Sequence, residues 1–289
     1  MNNQSLSEKL GCHFEKVVSD LRHLLQEIKV RFVNLSSPNI AVVAPNYYWN
    51  QRTPQQENTR IRIKRDYERL SEMLSLLLMQ APNDVTRRFA DADKRFRMWV
   101  ELESDWGLSE SMPDNLRQFD NAAKDVVEIL SIFGQKSDRE RLLIPDTNSL
   151  LVSCDPVAYR KVAMQNTFIF VLLPSVLGEL DKLKYLHRNP DVRDKAEKAI
   201  KRIKGWRNQG SLTDGVVIDK TIVVKAWHKE PDMDNTLSWL DGTVQDDRII
   251  ASVLFAQAEN ASSVIYLVTG DINLQNKADA AFISILEIT

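Results

Sequence analysis

Cysteine and long apolar runs are both scarce in this sequence of 289 residues. The two cysteines, Cys12 and Cys154, are too few for a disulfide framework and lack the spacing of a zinc site. The longest nearly apolar run, residues 168–177, contains a proline and is far shorter than the roughly 20 residues of a membrane helix. The polar N-terminus has no hydrophobic signal region. These absences argue against a disulfide scaffold and a membrane protein, and they favour a cytoplasmic location.

The sequence motifs of several common enzyme classes are also absent. The chain contains no GxGxxG, no P-loop GK[ST], no GxSxG and no HExxH, and its four histidines show no ligand spacing. P-loop nucleotide hydrolysis and serine-hydrolase chemistry are therefore unsupported. The formal net charge of −2 argues against a protein that coats nucleic acid along its whole surface.

The first half of the chain has the apolar periodicity of helices. Apolar residues recur at helical spacing in the segments 5–35, 59–80 and 113–133. A further helix is predicted to start near Asp84. We therefore predict an all-α helical domain over residues 1–135. It shows no catalytic constellation. We expect it to regulate or position the second domain, or to bind a protein partner or a second copy of the chain; a self-contained core is the alternative.

Residues 36–58 contain three prolines and lack helical periodicity, so we predict a loop there. Tyr47, Tyr48 and Trp49 lie inside this loop. Three adjacent aromatic side chains either stack on nucleic-acid bases or attach the loop to a core. We favour packing, because aromatic residues mainly contribute buried area.

The second half of the chain alternates short apolar runs with helical segments. The predicted strands are 142–144, 168–173, 221–226, 264–269 and 282–288. The predicted helices are 174–187, 191–207, 246–259 and 272–280. This alternation is typical of a parallel sheet flanked by helices. We therefore predict an α/β domain over residues 140–289, joined to the first domain by a polar linker that begins at Gly134.

Asp146 directly follows the first predicted strand and has two interpretations. In open α/β sheets, ligands bind at the carboxyl ends of the strands, where Asp146 would lie. Asp146 equally suits the N-cap of the next helix, and Ser149 is a second cap candidate. Taken alone, the residue is better explained as a helix cap.

Three further acidic residues also lie near the end of a predicted strand or in the helix that follows one. Glu179 lies in the helix after the second strand, Asp247 opens the helix of residues 246–259, and Asp271 follows the strand of residues 264–269. Converging carboxylates repel one another unless a cation neutralises them, and carboxylate oxygens suit Mg²⁺ or Mn²⁺. The joint placement therefore favours a metal site over separate caps.

Four short motifs with these carboxylates occur in a fixed order. They are strand-DTN at 146–148, hydrophobic-xx-Glu-Leu at 176–180, Asp-x-x-Ile-Ala at 247–251 and Thr-Gly-Asp-x-x-Leu at 269–274. In these motifs the segment from Leu142 to Thr289 resembles the PIN domain family of metal-dependent nucleases. Residues 1–135 are outside the resemblance.

The resemblance implies a metal-dependent endonuclease that hydrolyses phosphodiester bonds in single-stranded nucleic acid, RNA in preference to DNA. The acidic set expected to act in catalysis and to hold Mg²⁺ or Mn²⁺ is Asp146, Glu179, Asp247 and Asp271. The supporting residues are Thr147, Asn148, Asp246 and Thr269. Of these, Asn148 is expected to steady Asp146 in preference to Thr147. A catalytically inactive scaffold that binds RNA or protein, and a structure-specific DNA nuclease, are the alternatives.

A basic cluster lies between the second and third predicted strands. Residues 182–207 contain ten basic and three acidic residues, a local charge of +7. Such a surplus suits a phosphate backbone, although a solvated helix face with i,i+4 ion pairs is the alternative. Trp206 either stacks on a base or packs, and packing is favoured. The residues predicted to bind nucleic acid are Lys182, Lys184, Arg188, Arg193, Lys198, Lys201, Arg202 and Lys204.

Overall fold

The structure, a computed structural model, divides into two compact units. The residues that it describes are 4–33, 46–104, 107–133 and 140–288. One unit is Ser7–Gln135, and the other is Lys136–Thr289 together with Met1–Leu6. Residues 134–139, most of the predicted linker, are outside the described ranges. Within those ranges no helix combines the length and the apolar character needed to cross a membrane.

The N-terminal unit is built from long helices, as the apolar periodicity predicts. They are α1 (Leu6–Glu27), α2 (Pro54–Leu77), α3 (Asn83–Glu101) and α4 (Met112–Ser131). Helix α2 begins with a complete capping box, in which Thr53 and Gln56 each accept a hydrogen bond from the other's backbone N–H. The ring of Phe96 lies at the centre of the core, with ring centroids 4.7 Å from Tyr67 and 5.7 Å from Phe119.

A short antiparallel ladder corrects two details of the prediction. Strands β1 (Val30–Phe32) and β2 (Tyr47–Trp49) pair, with Val30 opposite Trp49. Helix α1 therefore ends at Glu27 rather than at residue 35, and Tyr47–Trp49 form a strand rather than part of a loop. Trp49 is buried and its indole N–H donates to the carbonyl of Glu103, which agrees with the packing interpretation. The pairing is between distant residues, so helical spacing alone did not indicate it.

The C-terminal unit contains a six-stranded sheet that is parallel except at one end. Its strands are β3 (Arg141–Pro145), β4 (Phe168–Leu172), β5 (Val216–Ile218), β6 (Ile222–Ala226), β7 (Val264–Val268) and β8 (Ser284–Leu286). Their order across the sheet is β5-β6-β4-β3-β7-β8, and β5 alone is antiparallel to its neighbour. The predicted α/β fold class is confirmed. Strand β5 was missed because it has three residues and an exposed Val217 at its centre.

Helices flank this sheet and join its parallel strands. They are α5 (Thr147–Val152), α6 (Arg160–Ala163), α7 (Pro174–Leu186), α8 (Pro190–Arg207), α9 (Gln245–Glu259) and α10 (Ile272–Ala280). The chain leaves β3 toward β4 on one side, whereas β7 pairs with β3 on the other side. The direction of winding therefore reverses between β3 and β7. In open α/β sheets this reversal point is where ligands bind.

A polar network stabilises the core of the N-terminal unit. Asp93 accepts hydrogen bonds from the Tyr67 hydroxyl at 2.9 Å and the Ser71 hydroxyl at 2.6 Å. Its other oxygen accepts from the Arg97 guanidinium at 2.6 Å. Tyr67 and Ser71 are both buried, so neither hydroxyl has water as a substitute acceptor.

We expect Asp93→Ala to lower the free energy of unfolding by about 2–4 kcal/mol, because it leaves two buried hydroxyls without an acceptor. Urea titration followed by circular dichroism measures the change. Asp125→Ala is the matched control, since Asp125 forms an exposed ion pair with Arg95 and such pairs contribute about 0–1 kcal/mol. Equal effects of the two substitutions would contradict the role of the network.

Candidate active site

The carboxyl ends of β3 and β7 bring two acidic segments together. Pro145 is opposite Val268 in the register of the two strands. The pairing continues one residue further, because the backbone N–H of Asp146 donates to the carbonyl of Val268 at 3.0 Å. Asp146 therefore lies beside Thr269 at the point where the winding of the sheet reverses.

Both oxygens of Asp146 are fixed by hydrogen bonds. The carboxylate is 3% exposed. Its Oδ1 accepts from the backbone N–H of Ser149 at 2.7 Å, and its Oδ2 accepts from the hydroxyl of Thr269 at 2.6 Å. Asp146 is thus the N-cap of α5 and also a residue of the sheet's carboxyl end. The two interpretations of this residue are compatible.

The residues that hold Asp146 differ from the expected one. Asn148 has an exposed side chain on α5, and Asp146 is held by Ser149 and Thr269 instead. A second bond fixes Ser149, because its hydroxyl donates to the carbonyl of Val268 at 2.9 Å. Ser149 is three residues after the N-cap, the position whose N–H a capping carboxylate normally accepts, so the sequence did contain this signal.

Thr269 connects Asp146 to Asp271. The hydroxyl of Thr269 donates to Asp146 and accepts the backbone N–H of Asp271 at 3.0 Å. Asp271 itself is the N-cap of α10, with Oδ1 accepting from Asn273 at 2.8 Å and Leu274 at 3.2 Å. Thr269 is completely buried. One buried hydroxyl group therefore connects the carboxylate of Asp146 to the backbone of Asp271.

Glu179 reaches the same region from α7. The hydroxyl of Thr147 donates to its Oε2. Thr147 directly follows Asp146 and is buried at the start of α5, whereas Glu179 is half-buried. Thr147 therefore positions Glu179. The sequence had indicated it as a possible support of Asp146.

Asp247 is paired with a cation that the sequence analysis did not identify. Asp247 is 6% exposed; its Oδ2 accepts from the backbone N–H of Asp241 at 2.9 Å. The ammonium of Lys277 lies 2.6 Å from the Oδ1 of Asp247 and 3.6 Å from the Oδ2 of Asp246. Burial alone lowers the pKa of Lys277, but the two aspartates outweigh that effect and raise the pKa above its ordinary value.

The sequence gives one signal for Lys277, its place in the short helix that Asp271 caps. Lys277 lies six residues after Asp271, while its partner Asp247 is thirty residues away in the sequence. No local pattern relates two residues at that separation. The pairing also connects the start of α9 to α10, the helix that Asp271 caps.

The fit of a divalent cation follows from the chemistry of these side chains. Among the residues that the structure describes, no group of three His, Cys, Asp or Glu side chains is arranged to hold a metal ion. Each predicted carboxylate is instead satisfied by a hydroxyl, a backbone N–H or Lys277. The atoms that could ligate a metal are nonetheless all carboxylate oxygens. One of them, the buried Oδ1 of Asp247, forms an ion pair with Lys277 but accepts no hydrogen bond of ordinary geometry. This donor set suits a hard cation such as Mg²⁺ or Mn²⁺.

The predicted nucleic-acid-binding residues lie on α7, α8 and the connection between them, and they fall into two groups. One group makes local contacts: Lys184 with the ring of Tyr185, Arg193 with the carbonyl of His187, Lys201 with Glu197, and Arg202 with Asp155. The other group is exposed and forms no ion pair in the described part of the chain: Lys182, Arg188, Lys198 and Lys204. Trp206 is 5% exposed, which supports the packing interpretation.

Comparison with known protein families identifies the second half of the chain. The family model of the PIN domain matches residues 143–288, which is just over half of the chain. The match begins inside β3 and includes all four acidic residues. No curated protein matches the sequence.

We expect Thr269→Val to lower the free energy of unfolding by about 1.5–3 kcal/mol, because it removes a hydrogen bond to a buried carboxylate without changing side-chain volume much. Guanidinium titration measures the difference. Thr269→Ser keeps the hydroxyl and loses only a methyl group, so it should cost about 1 kcal/mol. A valine variant as stable as the serine variant would show that the hydrogen bond from Thr269 to Asp146 contributes nothing to the free energy of unfolding.

Lys277→Met should lower the free energy of unfolding by about 1–3 kcal/mol, because it leaves the buried Asp247 without its cation. Lys277→Arg is the control that keeps the charge. Because the folded state raises the pKa of Lys277, its contribution is complete below about pH 10 and disappears as the pH rises through the folded pKa. Thermal unfolding at neutral and alkaline pH checks both statements; an unchanged melting temperature for Lys277→Met at neutral pH would contradict them.

Proposed function

The chain belongs to the PIN domain family, whose members are commonly nucleases, and from this membership we propose that it is a metal-dependent endonuclease. Its substrate would be single-stranded nucleic acid, with RNA preferred over DNA because of the family resemblance. The hydrolysis would take place at the carboxyl ends of β3 and β7.

One observation carries this proposal: the bridge from Asp146 through Thr269 to Asp271. It fixes a buried carboxylate at the reversal point of the sheet, where α/β folds bind ligands. A helix cap needs only the bond from Asp146 to Ser149. The additional bond from Thr269 orients the second oxygen, and a preset orientation is what a catalytic carboxylate requires.

Asp146, Asp247 and Asp271, with Glu179, would hold the divalent cation. When bound, Mg²⁺ or Mn²⁺ supplies Lewis-acid chemistry, which lowers the pKa of a water molecule and neutralises charge on the phosphate. The chain's own residues prepare this site. Hydrogen bonds orient Asp146 and Asp271, and the hydroxyl of Thr147 positions Glu179. Lys277 compensates the negative charge of Asp246 and Asp247 while no cation is bound.

Exposed cations on α7, α8 and their connection support nucleic acid as the substrate. Lys182, Arg188, Lys198 and Lys204 are free to contact phosphates, which determine non-specific affinity. The contacts of Lys184, Arg193, Lys201 and Arg202 are local, so we assign these residues a smaller share of the binding.

The N-terminal unit would have a separate role. The family match starts at residue 143, so this unit is not part of the PIN domain. We propose that it regulates the nuclease, or binds a protein partner or a second copy of the chain. A cytoplasmic location remains a prediction from the sequence.

Asp146→Asn should reduce the rate at which a fluorescent single-stranded RNA is cleaved in Mn²⁺ by at least about 100-fold, because it removes a charge from the proposed cation site. Glu259→Gln is the control, since Glu259 lies at the opposite end of α9 from Asp247. A matching DNA probe tests the preference for RNA. Cleavage by Asp146→Asn at the wild-type rate would contradict the proposal, and wild-type protein without Mn²⁺ affinity in calorimetry would favour the inactive scaffold.

A further inference from the structure

A cleft of about 690 Å³ opens in the C-terminal unit between α7, α8 and the segment that follows β6. Its apolar lining includes Leu177 from α7 and Ile203 from α8. Its polar lining includes Lys204 and Arg207, and Trp227 contributes an aromatic side chain. This volume is within the range of about 300–1,000 Å³ that small-molecule sites in proteins occupy.

The cleft lies at the same end of the sheet as the acidic site. Trp227 directly follows β6, and its backbone N–H donates to the carbonyl of Leu172, the last residue of β4, at 2.9 Å. Helix α7, which begins two residues after Leu172, faces both places: Leu177 and Asp181 line the cleft, while Glu179 between them binds Thr147. Residues two apart on a helix point about 200° apart, so the two places are separated by roughly one helix diameter, ~10 Å.

The lining matches the chemistry of a nucleotide. Lys204 and Arg207 are three residues apart on α8 and therefore share one side of it. Neither forms an ion pair in the described part of the chain, unlike Lys201 and Arg202 on the same helix. Asp181 is the one acidic residue among the described lining residues, so the cleft has a net positive charge. An aromatic side chain beside two cations is the combination that single-strand-binding proteins use for a base and its phosphates.

We propose that this cleft is a base-binding subsite for the single-stranded substrate, an inference that rests on the function proposed above. A base stacks against Trp227, and the adjoining phosphates contact Lys204 and Arg207. The cleft thereby holds the strand about one helix width from the acidic residues. Trp227 takes the stacking role considered for Trp206, whose side chain is buried.

Fluorescence anisotropy of a labelled oligouridylate tests the stacking contact. The Asp146→Asn chain in chelator serves as the background, so that the probe is not cleaved. We expect Trp227→Leu to weaken binding about tenfold, because stacking on one base contributes about 1–3 kcal/mol, and Trp227→Tyr to stay within about twofold of the parent. The loss of affinity in Trp227→Leu should vanish with a probe that lacks bases. Equal affinities of the leucine and tyrosine variants would overturn the proposal.

The salt dependence of the same binding tests the phosphate contacts. Replacing both Lys204 and Arg207 by alanine should reduce the slope of log K against log salt concentration by about 1.4, since each phosphate contact on a single strand contributes about 0.7. Lys195→Ala is the matched control, because Lys195 is exposed and nine residues away, on the opposite side of α8 from Lys204. A reduction by Lys195→Ala as large as that of the double variant would overturn the assignment.

Binding and cleavage separate the two proposals. Trp227-dependent binding in a protein that cleaves no probe supports the subsite and contradicts the nuclease. Metal-dependent cleavage by a protein whose RNA affinity is unchanged in Trp227→Leu supports the nuclease and overturns the subsite.

Discussion

The hydrogen bond from Thr269 to Asp146 joins two parallel strands that are far apart in sequence. It forms because β3 and β7 pair in a register that places Asp146 beside Thr269. A shift of register would separate the hydroxyl from the carboxylate and leave one oxygen of a buried charge without a donor, at an energetic cost. The position of the acidic site and the alignment of the central strands are therefore determined by the same interaction. Asp271 and α10 depend on it in turn, because the same hydroxyl accepts the backbone N–H of Asp271.

Repulsion between carboxylates constrains the rest of the site. The structure reduces it by giving each carboxylate its own partner: hydroxyl groups and backbone N–H groups for Asp146, Glu179 and Asp271, and an ammonium for Asp247. This arrangement stabilises each negative charge without a divalent cation. A divalent cation beside Asp247 would have to compete with Lys277. Its affinity would then be a difference between two interactions and not the sum of the attractions to each carboxylate.

The sequence predicts well what depends on local pattern. Strand β8, the four longer strands of the large sheet and the helices α7 to α10 have apolar runs or helical spacing of their own. Asp146 stands where a strand ends and a helix begins. The sequence predicts poorly what depends on distant pairing. The ladder of β1 with β2, the ion pair of Lys277 with Asp247, and the cleft around Trp227 each join segments with no shared periodicity. Asn148 illustrates a third limit, since residues two apart on a helix point about 200° apart. Its closeness to Asp146 in sequence therefore does not bring the two side chains together.

The two outermost strands of the large sheet, β5 and β8, have only three residues each. An outermost strand leaves backbone N–H and C=O groups unpaired, and long ones invite pairing with another chain. Short outermost strands offer another chain little backbone to pair with, so strand addition at these two edges is disfavoured. We therefore expect the C-terminal unit to associate with other chains through side-chain surfaces rather than through the edges of its sheet.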